Sequence, residues 1–195
     1  MGTREDILGA AEHIMRTDGF ARATTKQIAR QAGYSEAALY KHFDDKSEIF
    51  LGVLSERLPD LSGALSELTE HTGHYTVWAN LTRVTRSALD FYIASFPIAV
   101  SVFATQELLA AHRQRMAELS AGPEYAITGL ARYLRAEREL GRINRRGDPE
   151  SAASLLLGAC FQQAFLINFS GRKPDGATLD TTAAGLTRTL LDGLG

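Results

Sequence analysis

A chain of 195 residues with 45% hydrophobic and 23% charged residues has an ordinary globular composition, long enough for one medium domain or a small one plus a larger one. A net charge of −2 excludes a global attraction to nucleic acid, so a DNA partner would have to meet a local basic patch. The single cysteine, Cys160, excludes an intrachain disulfide framework, and the charged residues 1–6 contain no apolar signal core, so a reducing cytoplasm is expected.

Ile7, Leu8, Ala11, Ile14 and Met15 recur at helical spacing and predict a first helix over residues 4–18, ended by Gly19. Thr25 is the expected cap of a second helix that buries Ile28, Ala29 and Ala32. Gly33 supplies the sharp turn, and Ser35 caps a third helix expected over residues 36–42, with Leu39 and Phe43 inward. Two short helices around a tight turn are how proteins present a recognition helix to the major groove. Between Phe20 and Phe43 lie Arg22, Lys26, Arg30 and Lys41 against Glu36 alone, a local +3 in an acidic chain.

Asp45 to Glu48 has capping-box spacing and opens a helix at Lys46 whose stripe runs from Ile49 to Leu68 through Pro59, where a kink or break is expected. Thr76 caps a helix carrying Val77, Trp78, Leu81, Val84, Leu89, Tyr92, Ile93 and Phe96, which Pro97 should end. Residues 98–120 predict one or two shorter helices. Gly122-Pro123 opens another, stopped by Gly141. Pro149 suits a first helical position, and residues 151–169 carry no charge. A last helix is expected from about residue 177 to 194. With no strand alternation, the class is all-α.

The order and spacing of Thr24-Thr25 with Ile28-Ala29, Ala32-Gly33-Tyr34-Ser35, Leu39-Tyr40-Lys41-His42-Phe43, and Lys46 with Glu48-Ile49-Phe50 resemble the N-terminal domain of the TetR/AcrR family of bacterial transcriptional regulators, over roughly a quarter of the chain. The resemblance implies a three-helix DNA-binding domain over residues 1–46 and a helical effector-binding and dimerisation domain over residues 47–195. It implies double-stranded operator DNA as partner, a homodimer, no cofactor and no enzymatic activity. Thr25, Lys26, Tyr40, Lys41, His42 and Lys46 are expected on phosphates, while Ser35, Glu36 and Ala37 are placed to read bases. Glu36 is also readable as a helix-start charge.

The uncharged residues 151–169 are long enough to raise a membrane span, but Ser151, Ser154, Gln162, Gln163 and Asn168 spread polar groups along them. A helix covered on two sides, by its own core and by a second subunit, is the simpler reading. Leu157 with Ala183, Gly185, Leu186 and Leu190 of the last helix would form a four-helix dimer seam. Trp78, Tyr92, Phe96, Phe103, Met116, Phe161 and Phe165 are either core or the lining of an effector cavity, with Thr85, His112 and Gln163 as polar orienting groups. Such a lining predicts an apolar or aromatic small effector rather than a nucleotide or sugar phosphate. The expected function is a repressor released by that effector; the alternative is a ligand-independent architectural DNA-binding protein.

An enzyme has little support. Gly33-Tyr34-Ser35-Glu36-Ala37 lacks the last glycine of a nucleophile elbow, and no phosphate loop is present. His71 and His74 lie at a helix end without further ligands, which favours solvated loop residues over a metal site.

Overall fold

The computed structural model describes residues 2–20, 22–104, 106–118, 122–144 and 147–194. Among the described residues there are ten helices and no strand. The chain divides into two compact units, Met1–Leu58 with Ala94–Ser120, and Pro59–Ile93 with Ala121–Gly195. The boundary expected after residue 46 therefore falls inside the first unit.

The first unit holds α1 (Thr3–Asp18), α2 (Thr25–Ala32), α3 (Glu36–Leu39), α4 (Lys46–Glu56) and α7 (Gln106–Glu118). The apolar stripe of α1 packs on α2 and α4, burying Ile7, Leu8 and Met15 with Ile28, Leu39, Phe43, Ile49 and Phe50. The cap of α2 is Thr24, not Thr25. Thr24 Oγ accepts from the Gln27 amide while Gln27 Oε1 accepts from the Thr24 amide, which satisfies both orphan donors reciprocally. At its other end Gly33 takes φ 80°, and the amides of Gly33 and Tyr34 close onto the carbonyls of Arg30 and Ala29. Ser35 caps α3 as expected, accepting from Ala38. That helix is shorter than expected. Beyond Leu39 the amides of Lys41 and His42 reach back only three residues, so the chain continues as tight turns to Phe43. Asp45 caps α4, and Glu48 reaches back one residue further than a capping box requires, to the Asp44 amide.

The second unit holds α5 (Leu61–Glu70), α8 (Pro123–Glu139), α9 (Pro149–Ser170) and α10 (Gly176–Leu194). Pro59 separates α4 from α5, with Asp60 capping the new helix. Helix α8 packs on α5 and α9, and α10 on α9, around Leu65, Leu81, Leu89, Leu130, Tyr133, Leu156 and Cys160.

Helix α6 (Val77–Phe103) contributes to both units. The expectation that Pro97 ends it fails. Proline removes the amide that would bond the Ile93 carbonyl four residues earlier. The Asn168 side chain of α9 donates to that carbonyl at 3.3 Å and to the Ala164 carbonyl at 2.9 Å. Burial on both sides of the proline, of Ala88 and Leu89 before it and Ile98 and Val102 after it, holds the helix through the break.

By length and composition α6 and α9 could each cross a membrane. In α9 one face, with Ala153, Leu156, Leu157, Cys160 and Ala164, is buried in the unit's core. The other carries Leu155, Phe161, Phe165, Leu166 and Phe169 outward. Phe169 is 82% exposed and Leu155 69%.

Candidate nucleic-acid interface

The two helices around Gly33 leave a contiguous set of residues at the surface. Lys26, Arg30, Ser35, Ala37, Tyr40, Lys41 and His42 are all exposed, so the basic patch and the start of α3 are open to a duplex. The scaffold beneath them is tied locally. Tyr34 Oη donates to the Asp6 carboxylate at 2.9 Å, fixing the turn to α1. Arg4 lies over the Phe43 ring at 5.1 Å and pairs with Glu56. No residue type or spacing in the sequence announces these ties, because their partners lie far apart in the chain.

Four expected DNA contacts, Lys46, Thr25, Glu36 and Tyr40, are engaged within the protein. The Lys46 ammonium donates to the Phe20 and Ala23 carbonyls at 2.9 and 3.0 Å and sits 4.1 Å from the Phe20 ring centre. Burial lowers its pKa. Lys46 is first a clamp on the turn after α1, with one N–H left for a phosphate. Thr25 Oγ donates to Glu36 Oε1 at 2.6 Å and accepts from Tyr40 Oη at 3.3 Å. Thr25 thus has no free donor for a phosphate, and Glu36 is held rather than loose.

These differences separate two substitutions. Lys41→Ala should weaken binding to all duplexes about equally and lower the salt slope by about 0.9. Lys46→Ala should instead destabilise the fold by roughly 1.5–3 kcal/mol through two lost charge-assisted bonds. Thermal melts beside anisotropy titrations check both; equal melting temperatures for the two variants would refute the clamp.

The ten candidate effector residues divide between the units. Phe96, Phe103, His112 and Met116 belong to the first, and Trp78, Thr85, Tyr92, Phe161, Gln163 and Phe165 to the second. Phe103 is 75% exposed at the end of α6, a surface position and not a cavity wall. Trp78 is also exposed. Thr85 is a poor orienting group. Its buried hydroxyl lies 2.7 Å from the Leu81 carbonyl, to which it donates, and 3.1 Å from Thr187 Oγ. Tyr92 meets Phe161 edge-on at 5.7 Å, and Phe165 stacks on Phe169. His112 has a buried Nδ1 without a hydrogen-bond partner, and burial lowers its pKa.

Of the dimer residues, Leu157 and Ala183 are corrected. Both are buried in the core of their own unit, because they fall on the inward faces of α9 and α10. Leu186 and Leu190 pack partly on that core. Gly185 is exposed, with open space where a Cβ would stand.

Between α5 and α6 an open recess of ≈ 580 Å³ is lined by Glu70, His71, His74 and Tyr75. His71 Nδ1 faces Arg83 at 3.0 Å. Among the described residues no group of three or more His, Cys, Asp or Glu is arranged to hold a metal ion. Burial pushes the Cys160 thiol up from 9.0 to about 12, which removes it as a nucleophile at neutral pH.

Those shifts set a pH window. The unfolded chain loses the Cys160 proton first, so that contribution to stability is full below pH 9.0 and is lost towards about 12. Tyr92 and Tyr133, pushed from 10.0 to about 12 chiefly by burial, act in the same direction. His112 acts oppositely, its contribution being lost as pH falls below 6.5. Urea midpoints should therefore plateau between these limits, and Cys160→Ala should flatten the alkaline limb; an unchanged limb would show that the thiol does not titrate against folding.

The family model described as bacterial regulatory proteins, tetR family, matches residues 7–53. That described as the C-terminal domain of AefR-like transcriptional repressors matches residues 79–192, more than half the chain. The nucleoid occlusion factor SlmA of Vibrio vulnificus is 46% identical over 52 residues, 26% of either chain, so the match spans about a quarter of this curated relative. The fold is similar to FadR from Bacillus subtilis in complex with stearoyl-CoA, at TM-score 0.72 and 19% identity over 98% of this chain and 99% of that one. It is also similar to SmeT, the repressor of the Stenotrophomonas maltophilia multidrug efflux pump SmeDEF, at TM-score 0.67 and 24% identity over 97% and 90%. With the helix-turn-helix residues at the surface and both family models matched, the chain belongs to the TetR/AcrR family of bacterial transcriptional regulators, which are DNA-binding proteins and not enzymes.

Proposed function

We propose that the protein is a homodimeric cytoplasmic repressor, released from a palindromic operator by a small, mostly apolar effector. The observation that carries the dimer is the outward apolar face of α9, Leu155, Phe161, Phe165, Leu166 and Phe169, beside the open Gly185 position of α10. Two-fold pairing of these helices would bury a stripe that water otherwise meets, and would hold two DNA-binding heads in one particle. Residues Ser35 and Ala37 at the start of α3 read base edges, while Lys26, Lys41 and His42 hold phosphates.

Half-sites on one face of a duplex recur at about 34–36 Å, so heads displaced by a few ångströms no longer dock together. An effector that binds the displaced state more tightly shifts the population towards it, whereas equal affinity would shift nothing. The B. subtilis structure similar to this chain holds stearoyl-CoA, which supports a ligand with a long apolar part. The test selects a duplex from a random library with the wild-type protein. Its release is then titrated with aromatic and acyl compounds while Trp78 fluorescence is recorded. Quenching with release is the expected result; quenching without release at any concentration overturns the effector reading, and no enriched sequence overturns the operator.

A further inference from the structure

Glu36 is the one acidic residue between Phe20 and Phe43, among Arg22, Lys26, Arg30 and Lys41. It stands at the first position of α3, where a duplex would approach, and the residue is half-buried. The hydroxyl of Thr25, at the first position of α2, donates to Oε1 at 2.6 Å and accepts from Tyr40 at 3.3 Å. A chain of hydrogen bonds from Tyr40 through Thr25 to Glu36 therefore ties the start of α2 to both ends of α3. It holds a negative charge on the face that must meet phosphates, and it draws two hydroxyl donors away from those phosphates.

We propose that Glu36, tethered by Thr25, is a specificity-determining residue that suppresses binding to DNA in general. The inference rests on the DNA-binding reading above. A fixed carboxylate repels every duplex through its phosphates and is blind to sequence, so it lowers non-specific affinity at every site. At an operator that cost is offset where a base presents an amine, as cytosine N4 does, to the oxygen Thr25 leaves free. The charge therefore widens the ratio between operator and bulk DNA, and that ratio matters more than affinity when competing sites are numerous. A carboxylate free to rotate away would discriminate less, which gives the tether its role.

Glu36→Gln keeps an oxygen to accept from Thr25 and removes the charge. Its affinity for a scrambled duplex is expected to rise about fivefold, with a steeper salt slope by up to about 0.9. Its affinity for the duplex selected by wild-type protein should not rise in step, so the ratio falls at least threefold. Thr25→Val keeps the charge and frees it, and should lower the same ratio less. Lys41→Ala reports on the underlying reading, since it should lose affinity for both duplexes with a shallower slope. If Lys41→Ala behaves so while Glu36→Gln stays within twofold of wild type on scrambled DNA, the discriminator is overturned and the interface stands. If Glu36→Gln weakens both duplexes alike and lowers the melting temperature, the residue is a helix-start support, and the proposal also fails. If wild-type protein binds neither duplex, both readings fall together.

Discussion

Arg142→Ala is expected to lower the melting temperature by roughly 6–12 °C, from a loss of about 3 kcal/mol. Glu137 on α8 is fully buried. Its Oε1 accepts from the Gly73 amide at 3.0 Å, and its Oε2 lies 3.2 Å from Arg142 Nη1. Arg142 also donates to the Tyr75 carbonyl. Asn80 donates to Tyr133 Oη at 3.0 Å and to the His74 carbonyl at 2.9 Å. Together these groups latch the turn between α5 and α6 onto the end of α8. Removing the guanidinium leaves a buried carboxylate without its counter-charge, which costs more than the pair itself contributes. The loss is set at the lower end of the usual range because Arg142 keeps partial contact with solvent. Replacing both partners, Glu137→Leu with Arg142→Leu, should recover most of it. Differential scanning calorimetry of the two variants decides; a double variant as unstable as the single one would show that packing, not charge, dominates.

Leu155→Glu and Leu166→Glu are expected to convert the proposed dimer to folded monomers, whereas Leu157→Glu should unfold the protein. All three sit on α9, but Leu155 and Leu166 point outward and Leu157 is only 3% exposed in the core. A carboxylate at an apolar seam must be desolvated for association to occur, and that penalty of several kcal/mol falls on the complex alone. In the core the same penalty falls on folding. Gly185→Arg should behave as the outward pair, because nothing lies within 4 Å of the added Cβ. Light scattering and circular dichroism on the four variants separate the outcomes. Retention of a dimer by all three outward variants would move the seam elsewhere.

The helices were legible because periodicity and caps are local. Ser35 at the head of α3, Asp45 at the head of α4 and Pro149 at the first turn of α9 all stand where sequence spacing puts them. Even the Thr24 cap had a signal, since Gln27 lies three residues on and Ile28, three beyond Thr25, cannot return the bond. What escaped depends on distant partners. Lys46 reads as a phosphate ligand until the carbonyls of Phe20 and Ala23 fold over it. Glu137 reads as one more surface charge on α8 until Gly73 and Arg142 close on it. In α9 the lack of charge marks both faces alike, so the sequence does not separate inward Leu157 from outward Leu155.

Pro97 and Asn168 constrain how this chain can change. While the proline is present, any residue at 168 that cannot donate leaves the Ile93 carbonyl without its partner. Once position 97 regains an amide, the helix can satisfy that carbonyl itself and position 168 is released. Drift at the two sites is therefore ordered: the proline has to go first. A neutral-looking asparagine on one helix is hostage to the backbone chemistry of another, and its tolerance to substitution depends on which residue stands seventy-one positions earlier.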